Sequence, residues 1–293
     1  MKGNASGLKK IIIFSVAVII LIIIVFAVFV HQRRTKVEIY ESALDVPEDF
    51  YDDEVGVYDT ETIIVADEGY ISSFEGYNGI NDEHDGSKEI YLTFDDGPSI
   101  YTNTILDILA KYDIKATFFV LAKDDTISKD AYVRIVEEGH TLALHSYSHK
   151  YASVYKTKES FIEDVTSLQE YLYDITGVWC RIYRFPGGSS NTVSRTDMSE
   201  LIKYLKSEGI TYYDWNISSA DASGKGLSAE TIKNNCLKDI NKYDECVILL
   251  HDTGARKTTV DALDSIIKSI MDRGDSVFLP ITDETVPVQH RTE

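Results

Sequence analysis

Two carboxylates stand side by side at Asp95 and Asp96, within Thr93-Phe94-Asp95-Asp96-Gly97-Pro98, directly after the apolar run Glu89–Phe94. A turn would explain Gly97 and Pro98 but leaves the two carboxylates unexplained. At the end of a strand, neighbouring side chains leave in different directions, so two like residues can take different tasks. Downstream, His145-Ser-Tyr-Ser-His149 sets two imidazoles four residues apart. On a helical turn that spacing places both on one side, within reach of one ion. With seven histidines in 293 residues, such a pair arises by chance in roughly one chain in six, so it gains meaning only beside the carboxylates. A carboxylate and two imidazoles, with positions left for water and substrate, form the ligand set of a catalytic zinc site. Arg184 and His251 complete the group. Each also has a plain reading, Arg184 as a rim charge and His251 as a rim histidine satisfied by Asp252.

These residues need a scaffold that gathers distant positions. From Glu89 onward, short apolar runs alternate with amphipathic stretches, the sequence form of repeated βα units. The predicted strands are Glu89–Phe94, Ala116–Leu121, Thr141–His145, Arg181–Phe185, Thr211–Asn216, Cys246–His251 and Ser276–Pro280. Helical spacing covers Tyr101–Tyr112, Ser128–Glu138, Thr157–Thr176, Thr196–Glu208, Ser228–Ile240 and Thr258–Arg273. Seven strands and six helices predict an α/β fold, a distorted (β/α) barrel short of eight strands or a doubly wound sheet. Asp95 and Asp96, His145, Arg184 and His251 sit at the C-terminal ends of four strands. In a barrel those ends converge on one face, which favours the barrel.

Five strings carry a resemblance: Thr93–Pro98 (TFDDGP), His145–His149 (HSYSH), Arg184–Gly188 (RFPGG), the stretch around Asp221, and Ile248–His251 (ILLH). Together they resemble the polysaccharide deacetylase family, the NodB-homology domain or carbohydrate esterase family 4, over about Glu89 to Pro280. The resemblance implies one divalent metal, zinc first with cobalt or another divalent ion as alternatives, held by Asp96, His145 and His149. It further implies Asp95 as general base, Arg184 as its partner, His251 as general acid, Asp221 as the residue that orients His251, and the Gly187 N–H as oxyanion donor. The chain departs from the family pattern at Gly187, where many members carry Tyr, and in the fourth signature, where Ser218 and Ala222 replace Asp and Trp. Such a site would hydrolyse N-acetyl groups of an amino-sugar polymer, with peptidoglycan N-acetylglucosamine the first expectation. An acetyl-xylan or other O-acetyl esterase would use the same residues, and a sugar-binding pseudoenzyme is the alternative without catalysis. A metallophosphohydrolase of the HD type would place its His-Asp pair on a helix, whereas His251-Asp252 ends a β-branched apolar run.

Composition supplies the address and excludes some partners. Ile11–Val30 is apolar except for Ser15, flanked by Lys9 and Lys10 and by Arg33, Arg34 and Lys36. That length suits a spanning helix rather than a cleaved signal core, so residues 1–36 are expected to be a membrane anchor with flanks. Its basic flanks are balanced, and the outward placement of the rest is expected from the chemistry alone. Val37–Lys88 holds 16 Asp and Glu against one lysine, the pattern of an extended acidic stalk. Residues 89–293 are then the catalytic domain. A net charge of -19 opposes nucleic acid and other polyanions and suits a neutral polymer. Cys180, Cys236 and Cys246 show no metal-ligand spacing and read as structural.

Overall fold

The structure is a computed structural model and describes residues 87–223 and 226–293. The apolar run Ile11–Val30 and the acidic stretch up to residue 86 lie outside the described residues. Among those described, no helix is long and apolar enough to cross a membrane.

The strands are β1 (Lys88–Gly97), β2 (Thr117–Leu121), β3 (Thr141–Ser146), β4 (Ile182–Tyr183), β5 (Thr211–Tyr212), β6 (Ile217–Ser218), β7 (Glu245–His251) and β8 (Ser276–Phe278). All pairings are parallel. The lateral order is β5-β4-β3-β2-β1-β7-β6, and β8 joins β1 at Lys88–Ile90, below the stretch that pairs with β2. Between the strands run helices α1 (Thr102–Lys111), α2 (Thr126–Glu137), α3 (Tyr151–Val154), α4 (Lys158–Thr176), α5 (Met198–Ser207), α6 (Ala229–Leu237) and α7 (Lys257–Met271). The seven predicted strands and six predicted helices are all present. α3 and β6 are additions.

Both faces of the sheet are buried, which is what a curved, barrel-like sheet requires of its sequence. Ile90, Leu92 and Phe94 of β1 join Phe118, Val120, Leu142, Leu144, Tyr183, Ile248 and Leu250 in the core beneath the helices. The alternate positions Tyr91, Phe119, Ala143, Ile182 and Val247 form a second, smaller core on the concave face. The parity of the strands thereby sets Asp95, His145, Arg184 and His251 on the concave face, because each lies an even number of residues from one of those inner positions. Phe94 and Phe118 stack at 5.1 Å between centroids on the outer side. Burying each such side chain stabilises the fold by roughly 1.5–3 kcal/mol.

The path of strands does not close, since β5 and β6 occupy its two ends. Here the predicted strand Thr211–Asn216 is corrected: it is a strand only at Thr211–Tyr212, and β6 begins past its predicted end, at Ile217. Asn216 is the physical reason on one side. Its side chain donates to Glu245 O at 2.7 Å and accepts from Val247 N at 2.9 Å, standing in for a ladder partner. On the other side the Asp214 N–H donates to Val288 O at 2.7 Å, so the chain leaves the ladder and pairs with the segment around Val288 instead. The three cysteines are buried and free, and burial pushes the Cys180 thiol up to about 12, consistent with inert packing.

Candidate active site

The end of β1 solves the problem of aiming two adjacent carboxylates at one place. Its register with β2 slips between Asp95 and Gly97, and Asp96 takes φ +73°. This bulge removes the alternation that would otherwise send Asp96 to the opposite face. Asp96 Oδ1 then lies 3.6 Å from His145 Nε2 and 3.2 Å from His149 Nε2. Asp95 faces the same centre with Oδ2, 3.9 Å from His145 Nε2. Its Oδ1 accepts from Arg184 Nη1 at 2.8 Å.

The two histidines do not share a helical turn, which corrects the expectation drawn from their spacing. His145 belongs to β3, and His149 sits in the following loop with φ +52°. Asp164 of α4 is the cause. Its carboxylate accepts from Ser146 Oγ, Tyr147 N, Ser148 N and Ser148 Oγ, and Ser146 Oγ in turn accepts from His149 N at 2.8 Å. The loop folds around this buried anion and returns His149 to His145, with ring centroids 5.2 Å apart. His145 Nδ1 is bonded to Arg184 O at 2.8 Å, which leaves Nε2 as the lone-pair nitrogen facing Asp96. Burial, then the neighbouring His145, holds the His149 imidazole below its ordinary value against the pull of Asp96.

Arg184 is fully buried, not a rim charge. It donates to Tyr213 O, Thr93 Oγ1, Asp95 Oδ1 and Asp214 O, and its guanidinium lies 4.0 Å from the Phe119 ring centroid. Asp95 and His251 are direct neighbours across β1 and β7. His251 Nδ1 bonds Asp221 Oδ1 at 2.7 Å, while Asp221 Oδ2 accepts from His251 N and Thr259 Oγ1. Burial alone would lower the His251 imidazole, but the Asp221 hydrogen bond and charge, with Asp95 and Asp96, hold it above its ordinary value. Asp221 is held below the usual carboxylate range: burial would raise it, and the bond and charge of His251 outweigh that. Asp252 does not serve His251, as the plain reading would have it. It accepts from Ser99 Oγ and Thr102 Oγ1 instead.

Asp96, His145 and His149 thus form a cluster whose ligand atoms all lie within 4.8 Å of one another. Asp96 Oδ1 is buried and has no hydrogen-bond partner, a costly state for a carboxylate oxygen unless a cation satisfies it. The donor set of one carboxylate and two imidazoles fits a divalent ion such as zinc.

The sequence model of the family described as polysaccharide deacetylase matches residues 82–204. The Bacillus subtilis protein YheN, whose name places it among polysaccharide deacetylases, is 35% identical over 206 residues, covering 69% of this chain and 70% of that protein. This chain belongs to the polysaccharide deacetylase family. As a member it is a hydrolase acting on the N-acetyl groups of polysaccharide. A peptidoglycan-N-acetylglucosamine deacetylase of Bacillus cereus is 33% identical over 190 residues, covering 64% of each chain. The solved catalytic domain of a peptidoglycan N-acetylglucosamine deacetylase from Eubacterium rectale aligns with TM-score 0.67 and 38% identity, covering 72% of this chain and 96% of that one.

Beneath three loops of the deacetylase site lie buried carboxylates, Asp164, Asp214 and Asp252, of which the sequence alone had suggested only Asp252, and that with a different partner. Asp164 holds the His145–His149 loop, as described. Asp214 accepts from Ser189 N and Ser189 Oγ, fixing the loop after Arg184. Asp252 braces the loop after Asp96, where Lys123 Nζ donates to Asp96 O and Pro98 O. Burial holds the Asp252 carboxyl above its ordinary value. Asp164 carried a legible signal, because it shares the helical face of Phe161, Val165 and Leu168 and a carboxylate there must be satisfied within the fold. Gly187 takes φ +78°, a region open to glycine at little cost, and Tyr151 lies against it.

Proposed function

We propose that this deacetylase removes acetyl groups from the N-acetylglucosamine of peptidoglycan with one divalent metal, zinc first. The observation that carries the reading is the bulge at Asp96. It brings two adjacent carboxylates to one centre and gives them different partners, Arg184 for Asp95 and two imidazoles for Asp96. Asp96, His145 and His149 would hold the ion, which supplies an activated water and polarises the acetyl carbonyl.

Asp95 accepts the proton of the attacking water on Oδ2, while Arg184 holds its Oδ1 and fixes the carboxylate in place. The Gly187 N–H donates to the oxygen that gains charge. His251 gives its proton to the departing sugar nitrogen. Asp221 favours the protonated form of that imidazole and fixes its ring, so it acts through His251. Water's oxygen ends in acetate, and the sugar is left as a free amine.

The names of the similar proteins support peptidoglycan, as does the apolar run Ile11–Val30, which would anchor the chain in the membrane with residues 89–293 outside. The test is to incubate the zinc-supplemented full chain with peptidoglycan and with N-acetylglucosamine oligomers, measuring acetate and free amine. Equal release of both is expected. Acetate without amine would identify an esterase, and release of neither would refute hydrolysis. Protease added to intact cells should remove the domain; protection until lysis would refute the outward placement.

A further inference from the structure

The loop that carries the proposed oxyanion donor is bare at Gly187, and a side chain from another element fills the space. A Cβ at Gly187 would lie 3.2 Å from Tyr151 Oη and 3.3 Å from its Cε1. Tyr151 opens α3, two residues after the ligand His149, and its ring meets the His149 ring edge to face at 5.4 Å. Tyr155, one turn on, fixes this placement. Its ring lies 6.0 Å from that of Tyr151, it is buried, and its hydroxyl donates to Pro186 O at 2.9 Å. Two phenols from one short helix therefore reach the same loop, but only one is spent on it. Tyr151 remains 37% exposed, and among the described residues no group accepts from its hydroxyl.

We propose that Tyr151 is a substrate-contacting residue whose hydroxyl donates to the acyl oxygen beside the Gly187 N–H, its ring walling the acetyl pocket. This rests on the deacetylase reading above. A neutral donor suits the position, because the nearby Asp95 and Asp96 would repel a second acceptor-only group, whereas an oxygen gaining charge is stabilised by donors already aimed at it. A ring alone would make a wall without needing a hydroxyl. Bare Gly187 and Tyr151 are complementary, since any larger residue at 187 would displace the phenol.

The experiment compares the full chain with Y151F and Y151A, each loaded with zinc and assayed on N-acetylglucosamine oligomers, with zinc content measured by mass spectrometry. Y151F should lower kcat by about 10- to 100-fold, with KM within about 3-fold and zinc content unchanged. Y151A should lower kcat at least as far and also raise KM. If Y151F keeps kcat within about 2-fold of the parent, the hydroxyl makes no transition-state contact and the proposal falls while the deacetylase reading stands. Loss of zinc from Y151F would overturn it in favour of a structural role beside His149. If the parent chain releases no acetate from either oligomer or peptidoglycan, the deacetylase reading falls and the role of Tyr151 with it.

Discussion

Asp95→Asn and Asp96→Asn change neighbouring residues identically and should give opposite signatures. Arg184 is fully buried, and among the described residues Asp95 is its one carboxylate contact, at 2.8 Å. In Asp95→Asn the introduced amide could still accept one hydrogen bond, but the guanidinium would lose its counter-charge. Removing one partner of a buried pair costs about 3–5 kcal/mol, and a retained neutral bond returns about 1 kcal/mol. About 3 kcal/mol of destabilisation is expected for Asp95→Asn without metal, a fall in Tm of about 6–12 °C for a domain of this size. Asp96 Oδ1 has no such partner, so Asp96→Asn should leave the metal-free Tm within about 3 °C. Zinc at a hundredfold excess over its Kd should stabilise the parent by about 2.7 kcal/mol. Asp95→Asn should keep that response while losing about 10^2- to 10^4-fold in rate. Asp96→Asn should lose most of the response. Thermal unfolding with chelator and with zinc, beside acetate release, reads each of these outcomes. Equal loss of the zinc response in both variants, or an Asp95→Asn protein as stable as the parent in chelator, would refute the division of roles.

Asp221→Asn removes the charge that holds His251 above its ordinary value. The acid form is lost as pH rises through that raised value, so the basic limb of the pH–rate profile should move to lower pH; an unmoved limb would remove His251 as the acid. Gly97→Ala would put a Cβ 2.6 Å from the Asp252 carboxylate, which Ser99 and Thr102 hold in place. Displacement of the Asp96 loop should weaken zinc affinity, measured by titration, and unchanged affinity would show that Asp252 does not brace the ligand. Deleting Val37–Asp82 should leave turnover on soluble oligomers within about 2-fold, since so acidic a segment adds little core; a tenfold drop in a folded protein would place it in the site.

Much of the scaffold was legible because β-strand alternation is a local property. The rows Ile90-Leu92-Phe94 and Tyr91-Thr93-Asp95 can be read directly from sequence, and they decide which face Asp95 joins. His145, Arg184 and His251 follow by the same parity. What could not be read was conformation that breaks a period. Left-handed backbone at Asp96 and His149 arises from contacts made far along the chain, by Lys123 and Asp164, and neither aspartate nor histidine announces it. The spacing of four in His145–His149 fits a helical turn equally well, and only the buried Asp164 decides otherwise. The Thr211–Asn216 strand is cut short at Tyr212 for a related reason. Asp214 takes its partners outside the sheet, and Asn216 meets β7 through its side-chain amide.

An open barrel leaves two margins where backbone groups could pair with another chain, the usual route to strand-mediated aggregation. Here the margins, β5 and β6, are two residues each. Beyond β5, the stretch from Val288 to Arg291 runs alongside, accepting from Asp214 N, donating from Gln289 Nε2 to Tyr212 O and taking the Tyr212 hydroxyl on Arg291 O. Where β6 stops short along β7, Asn216 occupies the vacant ladder positions of Glu245 and Val247 with its own amide. Neither margin offers a run long enough for a neighbouring molecule to extend. Copies working side by side on one polysaccharide would therefore not join their sheets.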